Sequence, residues 1–252
     1  MNEFKITLAD VKPFLDSLKV ISGLINEARL KITPEGIKIT QLDCANVCLV
    51  NWVYLPSGCV EYDVPKETQA IINIGELIKI LKRIKADEIL SLKNDEDKDK
   101  IKLIIKGQNT KEVRVCLLDD DCREDKMPDL TFTAEAVTNA STLKGDLEFL
   151  NEIGDSGTFK ATKDLFEIKA QGDNNESKTI IKADDYNTIS VTESQPIESK
   201  YSFEYLKKII EGHRVCNKIT LKFGKDYPLM VVFSLLDKVR LEFILAPRIE
   251  ND

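Results

Sequence analysis

The chain contains no apolar run that approaches the roughly 18 residues needed for a membrane-spanning helix. Its opening residues, MNEFKITLAD, lack the basic region and the following apolar stretch of a signal peptide. Both absences argue against a membrane protein or a secreted protein. We therefore expect an intracellular protein that has no membrane partner.

Close thiol pairs are also absent, and the only imidazole is that of His213. The six cysteines, none of which forms a CxxC motif, are Cys44, Cys48, Cys59, Cys116, Cys122 and Cys216. Structural zinc sites usually combine thiol pairs with imidazoles, so we predict no zinc site. Scattered thiols are typical of small buried side chains in a reducing compartment.

Catalytic motifs are lacking as well, since no GxGxxG, GxxxxGK[ST], HExxH or GxSxG sequence occurs. A Ser–His or Cys–His nucleophile pair would have to use His213, which follows Gly212 at the predicted end of a helix. A histidine in that position is more often a solvated cap than a base. We predict that the protein has no catalytic residue, no cofactor and no enzymatic activity.

One acidic stretch resembles the start of a calcium-binding loop but departs from it further on. Asp95, Asp97 and Asp99 have the required spacing, whereas Lys100 and Lys106 occupy the positions of the loop glycine and the closing glutamate. We interpret the stretch as a polar hairpin turn. The flanking strands are predicted at Ile89–Lys93 and Ile101–Lys106.

The most informative feature that is present is an internal repeat. Apolar residues at helical spacing occur within the first 25 residues and again after Phe132. Each of these stretches is followed by alternating apolar residues on both sides of a short turn, at residues 33–36 and at residues 162–164. Such alternation is typical of half-buried antiparallel strands.

A second helix and further hairpins complete each half of the chain. The four predicted helices span Leu8–Ile25, Asn73–Lys85, Asn139–Gly154 and Tyr201–Arg214. Each half therefore combines β-rich segments with two helices. The predicted fold class is α+β, with two similar domains that each have antiparallel sheets and two helices on one face.

A charged stretch, LDDDCREDKMPD, separates the two halves. This composition suits an exposed connector. Asp119, Asp120 and Asp121 within it fit a solvated linker better than a metal site. We predict an N-terminal domain over residues 1–117, a connector over residues 118–131 and a C-terminal domain over residues 132–252.

Three segments resemble the proliferating cell nuclear antigen family, the sliding DNA clamps of archaea and eukaryotes. They are LINEARLKITPEGIKITQLDCANVCLV, the connector end Met127-Pro128-Asp129, and the closing LAPRIE from Leu245 to Glu250. The bias toward lysine and isoleucine and the short tail favour the archaeal type, which implies a cytoplasmic location. The two-fold repeat extends the resemblance over essentially the whole chain.

The resemblance implies a DNA clamp fold that assembles into a ring of three subunits, with helices lining a channel for duplex DNA. Such a ring acts as a processivity factor in DNA replication and DNA repair. It tethers DNA polymerase, flap endonuclease, DNA ligase and other factors, and a clamp loader opens it. DNA binding is expected to be independent of sequence, because base-edge contacts would stop sliding.

An acidic protein of this kind must concentrate positive charge where the phosphates pass. The chain has 43 acidic and 36 basic residues, a formal charge of −7. The second predicted helix has four basic residues against one acidic residue, whereas the third has one basic residue against three acidic ones. The candidate DNA-binding residues are Lys12, Lys19, Lys79, Lys82, Arg83, Lys144, Lys207, Lys208 and Arg214.

Two further surfaces follow from the resemblance. Subunits are expected to join through the strands Glu112–Leu118 and Ser177–Ala183, with Val113, Val115, Ile180 and Ile181 at the interface, although buried mid-sheet strands have the same pattern. Partner peptides are expected to dock with aromatic or aliphatic anchors in an apolar pocket. The matching pocket residues are Leu42, Val47, Leu49, Met127, Pro128, Pro228, Ala246, Pro247 and Ile249.

Other interpretations stay open at this point. The same fold occurs in checkpoint-type clamp subunits, which work only in a heterotrimer. A peptide-binding adaptor that never encloses DNA would also use an apolar pocket. A metal-dependent hydrolase that uses the linker aspartates is the most distant alternative. The sequence does not separate a ring of identical subunits from a ring of related ones.

Overall fold

The computed structural model describes residues 3–119 and 125–249. Contacts between residues divide the chain into two units. The first unit comprises residues 1–44, 50–127 and 235–241, and the second comprises residues 45–49, 128–234 and 242–252. The predicted domain boundaries at residues 117 and 132 stay a prediction.

The first half of the chain contains two helices and nine strands. The helices are α1 (Lys12–Ile21) and α2 (Ile74–Leu81). The strands are β1 (Lys5–Leu8), β2 (Glu27–Thr33), β3 (Gly36–Leu42), β4 (Cys48–Tyr54), β5 (Glu61–Asp63), β6 (Thr68–Asn73), β7 (Ile89–Asn94), β8 (Lys100–Lys106) and β9 (Thr110–Cys116). A 3-10 turn spans Pro56–Gly58.

The second half repeats this arrangement. Its helices are α3 (Ala140–Asn151) and α4 (Phe203–Ile209), and a 3-10 turn, Ile210–Arg214, extends α4. Its strands are β10 (Ala134–Asn139), β11 (Ser156–Ala161), β12 (Leu165–Gln171), β13 (Glu176–Lys182), β14 (Thr188–Val191), β15 (Ile197–Ser202), β16 (Lys218–Phe223), β17 (Leu229–Leu235) and β18 (Val239–Leu245).

The sheets are antiparallel in both units. In the first unit, five strands follow the order β5-β1-β7-β8-β9, and β2 pairs with both β3 and β6. In the second unit, four strands follow the order β13-β12-β11-β15, and β10 pairs with both β14 and β16. The predicted hairpin around Asp95–Asp99 joins β7 to β8.

The core of the first unit forms around α1 because its apolar residues recur at helical spacing. The ring of Phe14 lies 5.6 Å from that of Trp52 and 5.2 Å from that of Tyr54. The β2–β3 turn passes close to this cluster, since a Cβ atom on Gly36 would lie 2.6 Å from the carbonyl oxygen of Tyr54. With φ at +141°, the position also favours glycine on backbone grounds.

A second aromatic cluster fills the core of the other unit. The ring of Phe159 lies 5.4 Å from Phe166 and 5.2 Å from Tyr201, with both pairs close to edge-on. The hydroxyl of Tyr201 donates to the carbonyl oxygen of Tyr227 at 2.7 Å, so this buried polar group has a partner. Each unit thus has its own apolar core, as two similar domains require.

All four helices are shorter than predicted, and the reasons are local. Leu8 belongs to β1, and α1 begins only after Val11 because Pro13 occupies its first turn. Tyr201 belongs to β15, so α4 begins later than predicted. The last turn of the predicted fourth helix is a 3-10 turn that contains His213. Apolar spacing shows which residues face the core but does not show where the hydrogen bonds of a helix begin.

Candidate nucleic-acid interface

Helix α2 carries the most accessible group of predicted DNA-binding residues. The side chain of Asn73 accepts a hydrogen bond from the backbone N–H of Glu76 at 3.0 Å, which caps the helix. Lys79, Lys82 and Arg83 are exposed, and no carboxylate in the described residues lies within ion-pair distance of them. The apolar face buries Ile74, Leu77, Ile78 and Leu81. These three cations are therefore available to an anionic ligand.

On α1, both predicted cations bind the same carboxylate. Lys12 Nζ donates to Asp16 Oδ2 at 2.6 Å, and Lys19 Nζ donates to Asp16 Oδ1 at 2.8 Å. The Asp16 side chain is 8% exposed. Burial alone would raise its pKa, but the hydrogen bonds from the two lysines outweigh burial and hold the pKa below its usual value.

A similar arrangement occurs in the second unit, where Glu211 contacts two predicted DNA-binding residues. Lys144 Nζ on α3 donates to Glu211 Oε1 at 2.7 Å, and a guanidinium nitrogen of Arg214 lies 2.6 Å from Glu211 Oε2. Lys144 also lies 3.3 Å from Glu148. The hydrogen bond to Glu211 raises the pKa of Lys144, so the ammonium is firmly charged and already paired.

The remaining two cations lie on α4. Lys208 Nζ donates to Glu204 at 3.1 Å and lies 5.3 Å from the ring centre of Tyr205. Lys207 is exposed and has no carboxylate partner in the described part of the chain. Four of the nine predicted residues are thus available without competition: Lys79 on α2, Lys82 and Arg83 directly after its end, and Lys207 on α4.

The sequence analysis did not single out Asp16 or Glu211 as functional residues. The spacing of Lys12, Asp16 and Lys19 at i, i+4 and i+7 was a usable signal, because residues three or four apart share a helix face. The contact between Lys144 and Glu211 spans 67 residues and has no local signal. The net charge of each helix did not reveal which cations were already paired with a carboxylate of the same chain.

Both strands that the sequence analysis assigned to the subunit interface lie at sheet edges. Strand β9 pairs with β8, β13 pairs with β12, and neither has a second strand partner in the described residues. Two contacts fix β9 to its own unit: Lys111 Nζ donates to Glu88 at 2.6 Å, and Arg114 Nε donates to Asp95 at 2.9 Å. The acidic hairpin thus has a structural role through Asp95.

The four apolar residues on these strands differ in accessibility. Val115 is only 6% exposed and packs inside the first unit, opposite Ile101. Val113 is partly exposed. On β13, Ile180 is 45% exposed and Ile181 is partly exposed. Alternation along β9 turns Val115 inward, so it offers little surface to another subunit.

A cleft of about 680 Å³ runs between β13 and α3 in the second unit. Ile180 and Ile181 line one side of it, and Thr142 and Asp146 line the other. Phe149, one turn beyond Asp146 on the same helix face, is 60% exposed. Burial raises the pKa of Asp146, which has no cation partner in the described residues. The sequence analysis missed Phe149 because it considered only the core stripe of α3.

The predicted partner-peptide residues of the first unit lie near the connector. The backbone N–H of Leu42, which is partly buried, donates to Asp125 Oδ2 at 2.8 Å. Met127 is 36% exposed and lines a cleft with Asp125 and Lys126. The exposed side chain of Met127 does not pack in the apolar core. It is therefore still a candidate contact for a partner peptide.

In the second unit, the backbone N–H of Ala246 donates to the carbonyl oxygen of Val47 at 2.9 Å, which brings two predicted pocket residues together. Ile249 is 70% exposed, whereas Leu49 is 5% exposed and belongs to the core. Leu49 therefore contributes packing and offers almost no contact surface. Pro128 and Ala246 are exposed, and Val47, Pro228 and Pro247 are partly buried.

Within residues 3–119 and 125–249, no group of three or more His, Cys, Asp or Glu side chains is arranged to hold a metal ion. Asp120, Asp121, Cys122 and Glu250 lie outside the described residues. None of the helices in the described segments is long and apolar enough to cross a membrane.

Two units of antiparallel sheets, each with a pair of helices and an open edge, define the DNA clamp class of folds. Two family models match the chain: the N-terminal domain of proliferating cell nuclear antigen at residues 1–123 and its C-terminal domain at residues 126–248. The chain belongs to the proliferating cell nuclear antigen family. The family and fold class predicted from the sequence are confirmed.

Individual relatives match the chain over nearly its full length. The DNA polymerase sliding clamp of Pyrococcus furiosus is 32% identical over 249 residues, which cover 98% of this chain and 99% of the relative. The DNA polymerase sliding clamp of Nanoarchaeum equitans is 28% identical over 246 residues, covering 97% and 99%. Both relatives are archaeal, in agreement with the predicted type.

Solved structures show the same fold. The crystal structure of proliferating cellular nuclear antigen from Entamoeba histolytica matches with a TM-score of 0.90 at 20% identity, covering 98% of this chain and 99% of that one. A proliferating cell nuclear antigen structure from Thermococcus kodakaraensis matches with a TM-score of 0.89 at 23% identity, covering 97% and 100%.

The lowered pKa of Asp16 predicts a pH-dependent contribution to stability. The ionised carboxylate stabilises the fold above the unfolded-state pKa of about 3.9, and this contribution is lost as the pH falls through the lower folded-state pKa. Asp16→Asn is therefore expected to lower the thermal midpoint at pH 7 and to lower it less at acidic pH. Thermal unfolding of both proteins across pH measures the difference, and an equal difference at every pH would contradict the assignment.

Proposed function

We propose that the protein is a DNA polymerase sliding clamp, in which three copies close into a ring around duplex DNA and hold replication and repair proteins on it. The observation that carries this proposal is that two long strands, β9 in the first unit and β13 in the second, each lie at a sheet edge. The ring itself performs no reaction. It works in the compartment that holds the DNA, which is the cytoplasm in an archaeal cell.

Pairing β9 of one copy with β13 of the next satisfies the outer backbone N–H and C=O groups of both strands. A long exposed edge strand left unpaired is a template for uncontrolled association, so a defined partner for β9 and for β13 removes that hazard at both strands. Because the two edges belong to different units, the contact is head-to-tail and closes into a ring when the rotation between subunits is right.

The cleft beside β13 supports the same interface. Ile180 exposes apolar surface on the open edge, and Asp146 lies in the cleft without a cation partner in the described residues. Phe149 adds exposed apolar surface one turn further along α3. A neighbouring subunit seated on β13 covers the apolar side chains. Covering them removes apolar area from water, which stabilises the assembly.

The distribution of charge supports a channel that contacts phosphate weakly. Lys79, Lys82, Arg83 and Lys207 are accessible cations on helices of a protein whose formal charge is −7. Contacts between lysine or arginine and phosphate do not depend on base sequence. A ring held by enclosure needs only such contacts, which let it move along DNA.

Met127 in the first unit and Ile249 in the second each expose apolar surface that could contact partners carrying a short peptide with a glutamine and two apolar or aromatic anchors. An anchor buried in an apolar pocket provides most of the affinity, while the neighbouring peptide backbone adds hydrogen bonds. The partners expected at this surface are DNA polymerase, flap endonuclease, DNA ligase and the clamp loader.

The proposed interface predicts the effect of removing exposed apolar area from α3, the helix that forms one side of the cleft. Phe149→Ser is expected to raise the dissociation constant of the trimer about tenfold or more, because burying a phenylalanine contributes about 1.5–3 kcal/mol. Sedimentation over a concentration series measures this constant. Val60→Ser is the matched control, since Val60 is 67% exposed and directly precedes β5, which lies at the opposite end of the sheet from β9. A purified chain that stays monomeric at all concentrations would contradict the ring.

The proposed DNA contact predicts the effect of neutralising α2. Replacing Lys79, Lys82 and Arg83 by alanine is expected to flatten the salt dependence of binding to linear duplex DNA, with log K against log salt losing about one unit for each lost phosphate contact. The control replaces Lys66, Lys98 and Lys106, which are exposed cations outside the helices, by alanine. Equal slopes for both triple variants would show that α2 does not contact phosphate.

The proposed peptide surface predicts that Met127→Ala and Ile249→Ala each weaken binding of a peptide with paired aromatic anchors by about tenfold, as for a typical interface anchor. The trimer mass is expected to stay unchanged, since neither residue lies on β9 or β13. Fluorescence anisotropy of the labelled peptide measures the affinity. Leu236→Ala, at another exposed apolar residue, is the control. Unchanged affinity in both variants would place the pocket elsewhere.

A further inference from the structure

One carboxylate in each unit contacts two of the predicted DNA-binding cations. Asp16 accepts hydrogen bonds from Lys12 and Lys19, and Glu211 contacts Lys144 and Arg214. These two carboxylates therefore bind four of the nine cations. Glu148 and Glu204 contact only one each, Lys144 and Lys208 respectively.

The two carboxylates are more enclosed than ordinary surface acids. The side chain of Asp16 is 8% exposed and that of Glu211 is 28% exposed. The shortest nitrogen–oxygen distances in the two clusters lie between 2.6 and 2.8 Å. Water screens such pairs less than it screens exposed pairs, so a passing phosphate has to compete with a carboxylate already in place.

We infer that Asp16 and Glu211 are positioning residues that limit the affinity of the ring for DNA by holding Lys12, Lys19, Lys144 and Arg214 away from the phosphates. This inference rests on the proposed function. The Asp16 cluster has two positive charges and one negative charge, so it attracts phosphate with a net charge of one. In the other cluster Glu148 also contacts Lys144, so its two cations face two carboxylates and its attraction for phosphate is weaker still. The three α2 cations and Lys207 then supply the uncompensated contacts.

Limited affinity has a physical use in a ring that slides. Every lysine or arginine that pairs with a phosphate releases counterions and adds to the affinity for DNA. Each direct ion pair also has to break and form again as the ring moves to the next phosphate. Enclosure already prevents escape, so further contacts slow movement without improving retention. Carboxylates that occupy some of the cations keep the channel positive overall and keep each contact weak.

The test uses full-length trimers of Asp16→Asn and Glu211→Gln, each of which removes one negative charge. Asp16→Asn releases Lys12 and Lys19, whereas Glu211→Gln releases Arg214 and leaves Lys144 with Glu148 alone. Binding to a linear DNA duplex is measured by fluorescence anisotropy over a salt series. Each variant is expected to bind about fivefold more tightly at low salt, and its log K against log salt is expected to steepen by about one to two. Circular dichroism and trimer mass confirm that each variant is folded and assembled.

Two controls separate release of the lysines from a simple change of charge or structure. Glu76→Gln on α2 makes the same charge change, and its carboxylate contacts no cation in the described residues. It is expected to leave the salt slope unchanged. Asp16→Asn is also introduced where Lys12 and Lys19 are alanine, and there its effect on the slope is expected to vanish.

Wild-type slopes in both Asp16→Asn and Glu211→Gln would overturn the inference, as would equal steepening by Glu76→Gln. Persistence of the Asp16→Asn effect without the two lysines would also overturn it for α1. Retention of the wild-type ring on closed circular DNA is a separate measurement. Its loss would contradict the proposed function, whereas unchanged slopes with normal retention contradict only the inference.

Discussion

Unpaired backbone at the edges of β9 and β13 is the constraint on which the rest of the structure depends. Each unit has its own apolar core, yet each sheet ends in a strand without a second strand partner in the described residues. Ion pairs from Lys111 and Arg114 hold β9 in place, and a cleft lined in part by Ile180 and Ile181 lies beside β13. Preformed edges of this kind favour association, because little ordering is left to occur on contact. In the proposed ring, closure replaces affinity as the means of holding DNA.

The distribution of charge complements the proposed ring. A net charge of −7 keeps the protein from binding nucleic acid over its whole surface, so contact is confined to local positive groups. The accessible cations are concentrated on α2, while Asp16 and Glu211 occupy cations on α1, α3 and the turn after α4. The described helices therefore differ in how strongly they attract phosphate, even though the two units repeat the same fold.

Much of the fold was predictable because the chain repeats its patterns. Alternation around residues 33–36 and 162–164 predicted hairpins that the structure contains as β2–β3 and β11–β12. Helix ends were less predictable, since Pro13 and the strand residue Leu8 shorten α1. Whether β9 and β13 lie at an edge or inside a sheet depends on strand order, which alternation does not encode. The contact of Lys144 with Glu211 depends on tertiary packing, and the exposure of Phe149 depends on what covers α3.

Retention on DNA tests the central claim most directly. The protein is loaded onto a closed circular plasmid, washed at high salt and then followed after the circle is cut once. The account predicts that the ring survives the wash on closed circles, because high salt screens ionic contacts but does not open the ring. After the circle is cut, the ring is expected to leave the DNA within a period as long as the wash, because a free DNA end then exists. Equal loss from closed and cut DNA during the wash would contradict enclosure.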